Sequence, residues 1–225
     1  RFILEHSEAA AVCCWHSDVE ALIELQRDLP SLRQVIAVSK EGLLNTSESG
    51  GKKVQSPSFA SGSLSRVGSL DDEALIVYTS GTTGPPKGVV LTVANLLTDA
   101  DAIADWHGFG VNDRLMCVLP IHHVNGTVVT LITPFYFKGS VVLNRKFKSA
   151  TFWRRLQDEG ITCVSVVPTL LEFLLDTTDD ITAYHLQDFA GLICGAGPLL
   201  KDTAARFEDR FHFPIRHGYG LSETH

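Results

Sequence analysis

Tyr78-Thr79-Ser80-Gly81-Thr82-Thr83-Gly84-Pro85-Pro86-Lys87-Gly88-Val89 is the stretch on which the reading of this chain turns. An apolar run, Ala74-Leu75-Ile76-Val77, precedes it and reads as a buried strand; a second, Val89-Val90-Leu91, follows. Between the two lie small hydroxylic residues, glycines and one lysine. Glycine permits positive φ and close approach of the backbone, so such a loop can bring amides, hydroxyls and an ammonium to a polyphosphate. It is not a Walker loop. That pattern needs Gly-Lys-Ser/Thr opening a helix, whereas Pro86 precedes Lys87 here and Gly88 follows it. Pro85 and Pro86 donate no N–H and stiffen the turn that presents Lys87. A plain Gly/Ser/Thr hairpin tip is the competing reading.

Outward from that loop, strands and helices alternate. Ala9 to Trp15 reads as a buried strand, Asp18 as the cap of a helix ended by Pro30, and Val35 to Val38 as a second strand, together a β-α-β unit. Residues 40–70 are rich in serine, glycine and lysine and read as a surface loop, which divides the chain into 1–70 and a core of 71–225. Beyond the loop, Thr92 caps a helix to about Trp106, residues 127–137 suit a buried helix, and Ser149 caps a helix over 150–159 that Gly160 ends. Strands are expected over 114–119, 140–143, 161–167, 191–194 and 214–217, with helices over 168–175 and 198–211. This is an α/β layered fold with mainly parallel sheets flanked by helices.

Composition excludes several classes. The 225 residues carry a net charge of −7 with no basic run, which argues against nucleic acid as a partner. No apolar stretch reaches the ~18–20 residues of a membrane span, and no signal-peptide pattern opens the chain. The five cysteines lack ligand spacing and read as reduced residues, mostly core, of a cytoplasmic protein.

Two further segments stand where strands give way to helices, a usual place for a site in such folds. Pro120-Ile121-His122-His123-Val124-Asn125-Gly126 is one, and Gly195-Ala196-Gly197-Pro198-Leu199 is the other. Near the end, Gly220-Leu221-Ser222-Glu223-Thr224 is like a nucleophile elbow but has Thr224 where that motif requires glycine.

Taken together these motifs resemble the adenylate-forming, AMP-binding superfamily of acyl-CoA synthetases, luciferases and peptide-synthetase adenylation domains, and in particular its acyl-CoA synthetase branch. The resemblance spans nearly the whole chain and is least specific over residues 1–70. It implies that Thr79, Ser80, Gly81, Thr82, Thr83, Gly84 and Lys87 meet the polyphosphate of ATP. It implies that Gly195, Ala196 and Gly197 pack against adenine, as do Gly218, Tyr219, Gly220 and Leu221, with Tyr219 stacking on the ring. Ser222 then contacts the α-phosphate and Glu223 holds Mg²⁺, a role suited to a carboxylate. His123 is the pocket residue that meets the carboxylate substrate, with Val124 and Gly126 as pocket wall; Lys87, His123, Ser222 and Glu223 form the catalytic set.

The activity so implied is that of an ATP-dependent acid–thiol ligase, which makes an acyl-adenylate and passes the acyl group, fatty or aryl, to coenzyme A. Two alternatives stay open: an adenylation domain that loads a carrier protein, and a non-catalytic nucleotide-binding module. An amino-acid-activating pocket would place an aspartate near residues 120–126, and only Asp113 is nearby in sequence. The family's Tyr-x-x-Gly-Asp ribose segment, hinge and C-terminal domain with its lysine are not in this sequence. The chain is therefore expected to be a fragment of the family's large N-terminal domain, inactive on its own, with the C-terminal domain in the parent protein.

Overall fold

The computed structural model describes residues 1–39, 42–45, 68–80 and 84–224. The chain forms two compact units, one of residues Arg1–Gly68 and Tyr78–Gly88, the other of Ser69–Val77 and Val89–His225. The segment Tyr78–Gly88 thus goes with the first unit although it follows the 1–70 region in sequence.

In the first unit, helix α1 (Phe2–His6) precedes strand β1 (Ala11–Trp15), helix α2 (Val19–Gln26) and strand β2 (Gln34–Ser39). β1 and β2 are parallel, with Val12 opposite Val35, so the β-α-β unit read from the sequence forms. Asp18 sits at the N-cap of α2, but its side chain makes no capping hydrogen bond. Leu29, Leu32, Val35 and Ala37 are buried. β1 is not the buried strand its composition suggests. Among the described residues it pairs with β2 alone, and its side chains alternate between exposed and half-buried. A short strand β3 (Gly42–Asn45) runs antiparallel to β2, where the sequence reads as loop. The remaining Ser/Gly-rich stretch, residues 46–67, lies outside the described residues.

Strands β4 (Glu73–Thr79) and β5 (Lys87–Thr92) pair as a two-stranded sheet. Of β4 only Val77 is buried, so this strand also departs from the buried strand expected of its apolar run. Thr92 then opens helix α3 (Val93–His107) through a capping box with Asn95. Gly108, in the left-handed conformation at φ 68°, ends it.

The second unit is built on five parallel strands: β6 (Arg114–Cys117), β7 (Ser140–Leu143), β8 (Cys163–Val166), β9 (Leu192–Cys194) and β10 (Ile215–His217). Their spatial order is β7-β6-β8-β9-β10. The chain therefore steps outward from β6 to β7, then returns past β6 to wind the other way. A doubly wound sheet with that reversal opens a crevice at the carboxyl ends of the strands beside the switch, here β6 and β8.

Alternation along the strands separates two faces. On one, Met116, Val164, Val166, Leu192 and Cys194 meet Phe152, Trp153 and Leu156 of helix α5 (Phe152–Glu159), Leu171 and Leu174 of α6 (Pro168–Leu175), and Phe207 and Phe211 of α7 (Lys201–Phe211). Trp153 lies within 4.7 Å of the Phe211 ring, centroid to centroid. The Glu172 carboxylate accepts a 2.6 Å hydrogen bond from Thr203, tying α6 to α7. On the other face, Leu115, Cys163 and Ile193 pack with Phe109, Val129 and Phe137.

The segment after β6 is the main departure from the expected helix over 127–137. It is a π-helix, Asn125–Ile132, that passes into a short helix α4 (Thr133–Tyr136). The Thr133 N–H and hydroxyl both donate to the carbonyl of Val128, five residues back. Hydroxyls also serve the wide turns elsewhere: Thr130 donates to the Gly126 carbonyl at 2.9 Å. A π segment places side chains out of step with an α stripe and commonly marks a functional region.

Candidate functional site

Gly126 explains how the π-helix begins so close to β6. A Cβ at this position would lie 2.3 Å from the Pro120 carbonyl oxygen, so only glycine allows that approach. Asn125, one residue earlier, lies above the sheet. Its Oδ1 accepts a 2.6 Å hydrogen bond from Ser165 in the fully buried middle of β8. Its Nδ2 approaches Gly195, where an added Cβ would stand 3.4 Å from it.

Two turns follow the carboxyl ends of β9 and β10. Gly195 N–H donates to Val166 and Gly218 N–H to Cys194, so each turn is pinned to the neighbouring strand. Ala196 adopts φ 58°, a left-handed conformation unusual for a residue with a Cβ. After Gly218 the chain exposes Tyr219, 90% accessible, and closes in a 3-10 turn over Ser222–Thr224. Within that turn the Thr224 hydroxyl both donates to the Leu221 carbonyl and accepts from the Leu221 N–H. Ser222 is half-buried and Glu223 exposed.

These turns open onto a cavity of about 380 Å³ in the second unit. One wall is a stripe of α3, Asp99, Ala102, Ile103, Trp106 and His107, spaced three and four residues apart as one helical face requires. Val124, Asn125 and Val129 form another side, Gly195 and Ala196 a third, and Ile193 with Arg216 to Gly220 the rest. Of the residues expected from the sequence, Val124, Gly195, Ala196, Gly218, Tyr219 and Gly220 thus share one cavity. Gly126, Gly197 and His123 are not among its lining residues, nor are Leu221, Ser222 and Glu223, which continue directly from the Tyr219 turn.

His123 is exposed, and its ring lies 4.4 Å from that of His122. Desolvation, and next the neighbouring His122, lower its pKa below the ordinary histidine value. His107 is more strongly affected. Burial lowers its pKa to about 4, and the positive charge of Arg216 acts in the same direction. Its Nδ1 is buried without a hydrogen-bond partner among the described residues, and its ring stacks on Phe109 at 5.1 Å.

In the first unit, the loop bearing the other expected residues begins at Tyr78. The Tyr78 hydroxyl lies 2.9 Å from His6 Nδ1, and Phe2 approaches the Tyr78 ring edge-on. Ser80, Gly84 and Lys87 are exposed and Thr79 is half-buried, with Lys87 the first residue of β5. Gly81, Thr82 and Thr83 lie outside the described residues.

The sequence reading misses the α3 wall. The signal was present in the period of residues 99, 102, 103, 106 and 107, but nothing in that helix alone tells a cavity face from a core face. It also misses Asp99 as an aspartate facing the pocket, having looked only near residues 120–126. Asp113, the neighbour in sequence, instead accepts a 2.8 Å hydrogen bond from the Gly110 N–H in a turn.

A family model described as "AMP-binding enzyme" matches residues 1–225, the whole chain. The chain belongs to the AMP-binding enzyme family. Among its relatives is a sulfoacetate–CoA ligase from Cupriavidus necator, 33% identical over all of this chain and 42% of that protein. A 2-succinylbenzoate–CoA ligase from Enterococcus faecalis is also 33% identical, over 69% of this chain and 31% of its own length. A solved malonyl-CoA ligase, a ternary product complex with methylmalonyl-CoA and AMP bound, is 34% identical over 69% of this chain and 34% of its own, with a TM-score of 0.65. ATP-bound MatB from Rhodopseudomonas palustris superposes with a TM-score of 0.80 over 99% of this chain and 42% of its own, and at 24% identity it speaks to the fold alone. This chain therefore spans less than half the length of these proteins. The α/β fold with a parallel sheet flanked by helices is that of adenylate-forming enzymes' N-terminal domains.

Proposed function

We propose that the protein is an ATP-dependent acyl-CoA synthetase, joining a carboxylic acid to coenzyme A through an acyl-adenylate. The observation that carries this reading is the meeting of Val124, Gly195, Ala196 and Gly218 to Gly220 around one cavity at the carboxyl ends of a doubly wound sheet. Relatives named as CoA ligases support coenzyme A as the acceptor. A carboxylate oxygen of the acid bonds to the α-phosphorus of ATP as the bond to pyrophosphate breaks. The thiol of coenzyme A then bonds to the acyl carbon, losing its proton as AMP departs.

The roles that the family resemblance implies suit the chemistry of each residue. Gly195, Ala196 and Gly197 offer backbone without bulk to the adenine ring, and Tyr219 offers an exposed aromatic face. Thr79, Ser80, Gly81, Thr82, Thr83, Gly84 and Lys87 receive the polyphosphate, with the Lys87 ammonium countering charge that grows on its oxygens. The Ser222 hydroxyl donates to the α-phosphate. His123, its pKa lowered by desolvation and next by His122, can accept or donate a hydrogen bond at the acid.

Glu223 fits a magnesium ion. It is an exposed hard oxygen donor beside two hydroxyl residues, and magnesium commonly takes one or two carboxylates with water and phosphate completing its shell. The ion would neutralise phosphate charge. Buried thiols at Cys117, Cys163 and Cys194 suit a cytoplasmic setting.

Acid-dependent exchange of pyrophosphate into ATP, measured on the whole protein across a panel of acids, tests the reading. Lys87→Ala is expected to lower kcat roughly 100- to 1,000-fold, the scale of losing one fixed donor to developing charge. No exchange with any acid, together with no CoA thioester by mass spectrometry, would refute it.

A further inference from the structure

The cavity is lined by a guanidinium that has no hydrogen-bond or ion-pair partner among the described residues. Pairing across the sheet sets Cys117 opposite Ser165, Ser165 opposite Ile193, and Ile193 opposite Arg216, so these four share one row on the α3 face. Three of them are apolar, or occupied by the Ser165–Asn125 hydrogen bond. Arg216 is half-buried and lines the cavity, and its guanidinium makes no hydrogen bond or ion pair among the described residues. A guanidinium taken from water without a partner is costly, and five fixed donors await an acceptor.

Where that charge lies follows from α3 and β10. The helix leads through Phe109 and Asp113 into the start of β6, so His107 sits toward the amino ends of the strands. The turns at Gly195 and Gly218 lie at the carboxyl ends, where the proposed chemistry occurs. Arg216, the middle residue of β10, stands two residues before the Gly218 turn and lines the cavity together with His107, whose pKa its charge lowers. His107 Nδ1, buried and unpartnered among the described residues, is a second polar atom on the same wall. Asp99, the single carboxylate among the lining residues, is two helical turns away, ~12 Å along the axis. It already interacts elsewhere within the protein.

We infer that the acid activated here carries a second anionic group, which Arg216 holds within the cavity while the reacting carboxylate stays at the strand ends. The inference rests on the ligase reading above. A guanidinium meets a carboxylate or a sulfonate through paired N–H donors, so either group serves. A purely aliphatic tail would instead leave Arg216 desolvated and unsatisfied. Arg216 is by this account a specificity-determining residue.

The test compares succinate, sulfopropionate, butyrate and 4-aminobutyrate in pyrophosphate exchange on the whole protein. Succinate, sulfopropionate or both are expected to exceed butyrate in kcat/KM, and their ratio separates carboxylate from sulfonate. Arg216→Gln is expected to raise KM for the preferred acid roughly 10- to 100-fold, the loss of a charged hydrogen-bonding partner, and to erase its advantage over butyrate. Arg216→Lys should retain part of that advantage. If Arg216→Gln fails to fold, as thermal unfolding would reveal, the wild-type ranking and Arg216→Lys still decide. Preference for butyrate, or for 4-aminobutyrate by pairing with Asp99, overturns the inference and leaves the ligase reading standing. Exchange with none of these four but with another monoanionic acid of the wider panel overturns the inference alone, whereas no exchange across that panel and no CoA thioester overturns both.

Discussion

Ser165 donates its hydroxyl to Asn125 Oδ1 across 2.6 Å, joining the buried centre of the sheet to the first residue of the π-helix. The contact fixes the Asn125 amide, turning its nitrogen toward Gly195 at the cavity rim. Ser165→Ala removes the donor and leaves a half-buried acceptor unpaired, which should lower stability by about 1–3 kcal/mol in urea unfolding. The double variant with Asn125→Ala should be less destabilised than the sum of the two single changes, because both delete one interaction. Simple additivity would show that the hydrogen bond contributes nothing.

Gly126 is the second device at this junction. Gly126→Ala places a Cβ 2.3 Å from the Pro120 oxygen, and backbone rather than a flexible side chain is what must move. A loss of about 1–3 kcal/mol or more is expected, of the overpacking kind. Gly110→Ala is the control, since nothing lies within 4 Å of an added Cβ there. Equal melting temperatures for the two variants would contradict the geometry.

Residue patterns carried much of this architecture. Thr92 marked the start of α3 and Gly160 the end of α5, and the strands expected over 161–167 and 191–194 formed as the buried strands Cys163–Val166 and Leu192–Cys194. What escaped depends on partners that a local pattern does not contain. The runs Ala11–Trp15 and Ala74–Val77 are as apolar as the central strands, yet the strand holding each pairs with only one described neighbour and stays largely open. The π register of Asn125–Ile132 arises from the Gly126–Pro120 approach and from threonine hydroxyls, not from the spacing of its apolar residues. The glycine and Tyr219 turns that line the cavity were singled out in the sequence through the family resemblance, not by local pattern. Asp99, His107 and Arg216 were not, because only the crossing of α3 over the sheet brings them to one space.

His107 sets a pH dependence whose sign is fixed. Its folded pKa, lowered from 6.5 to about 4 by burial and by Arg216, means that the unfolded chain takes up a proton first. Stability is then fully present above about pH 6.5 and declines as pH falls toward 4. Partial exposure moderates the size of the effect. Urea unfolding between those limits should show a steeper decline for the wild type than for His107→Gln, which has no such proton to gain. Parallel curves would mean that His107 titrates normally in the folded state.

Tyr219 separates binding from folding. At 90% exposure its ring contributes little to the core, so Tyr219→Ala should shift stability by no more than about 0.5 kcal/mol. If the ring stacks on adenine as proposed, the same change removes an aromatic contact of the kind worth ~1–3 kcal/mol per base. ATP affinity of the whole protein should then fall roughly 5- to 150-fold, and Tyr219→Phe should retain it. Stacking needs the ring face and not the hydroxyl, so the phenylalanine variant distinguishes it from a hydrogen bond. Unchanged ATP affinity in Tyr219→Ala would remove Tyr219 from the nucleotide site, and a matching loss in Tyr219→Phe would assign the contact to the hydroxyl.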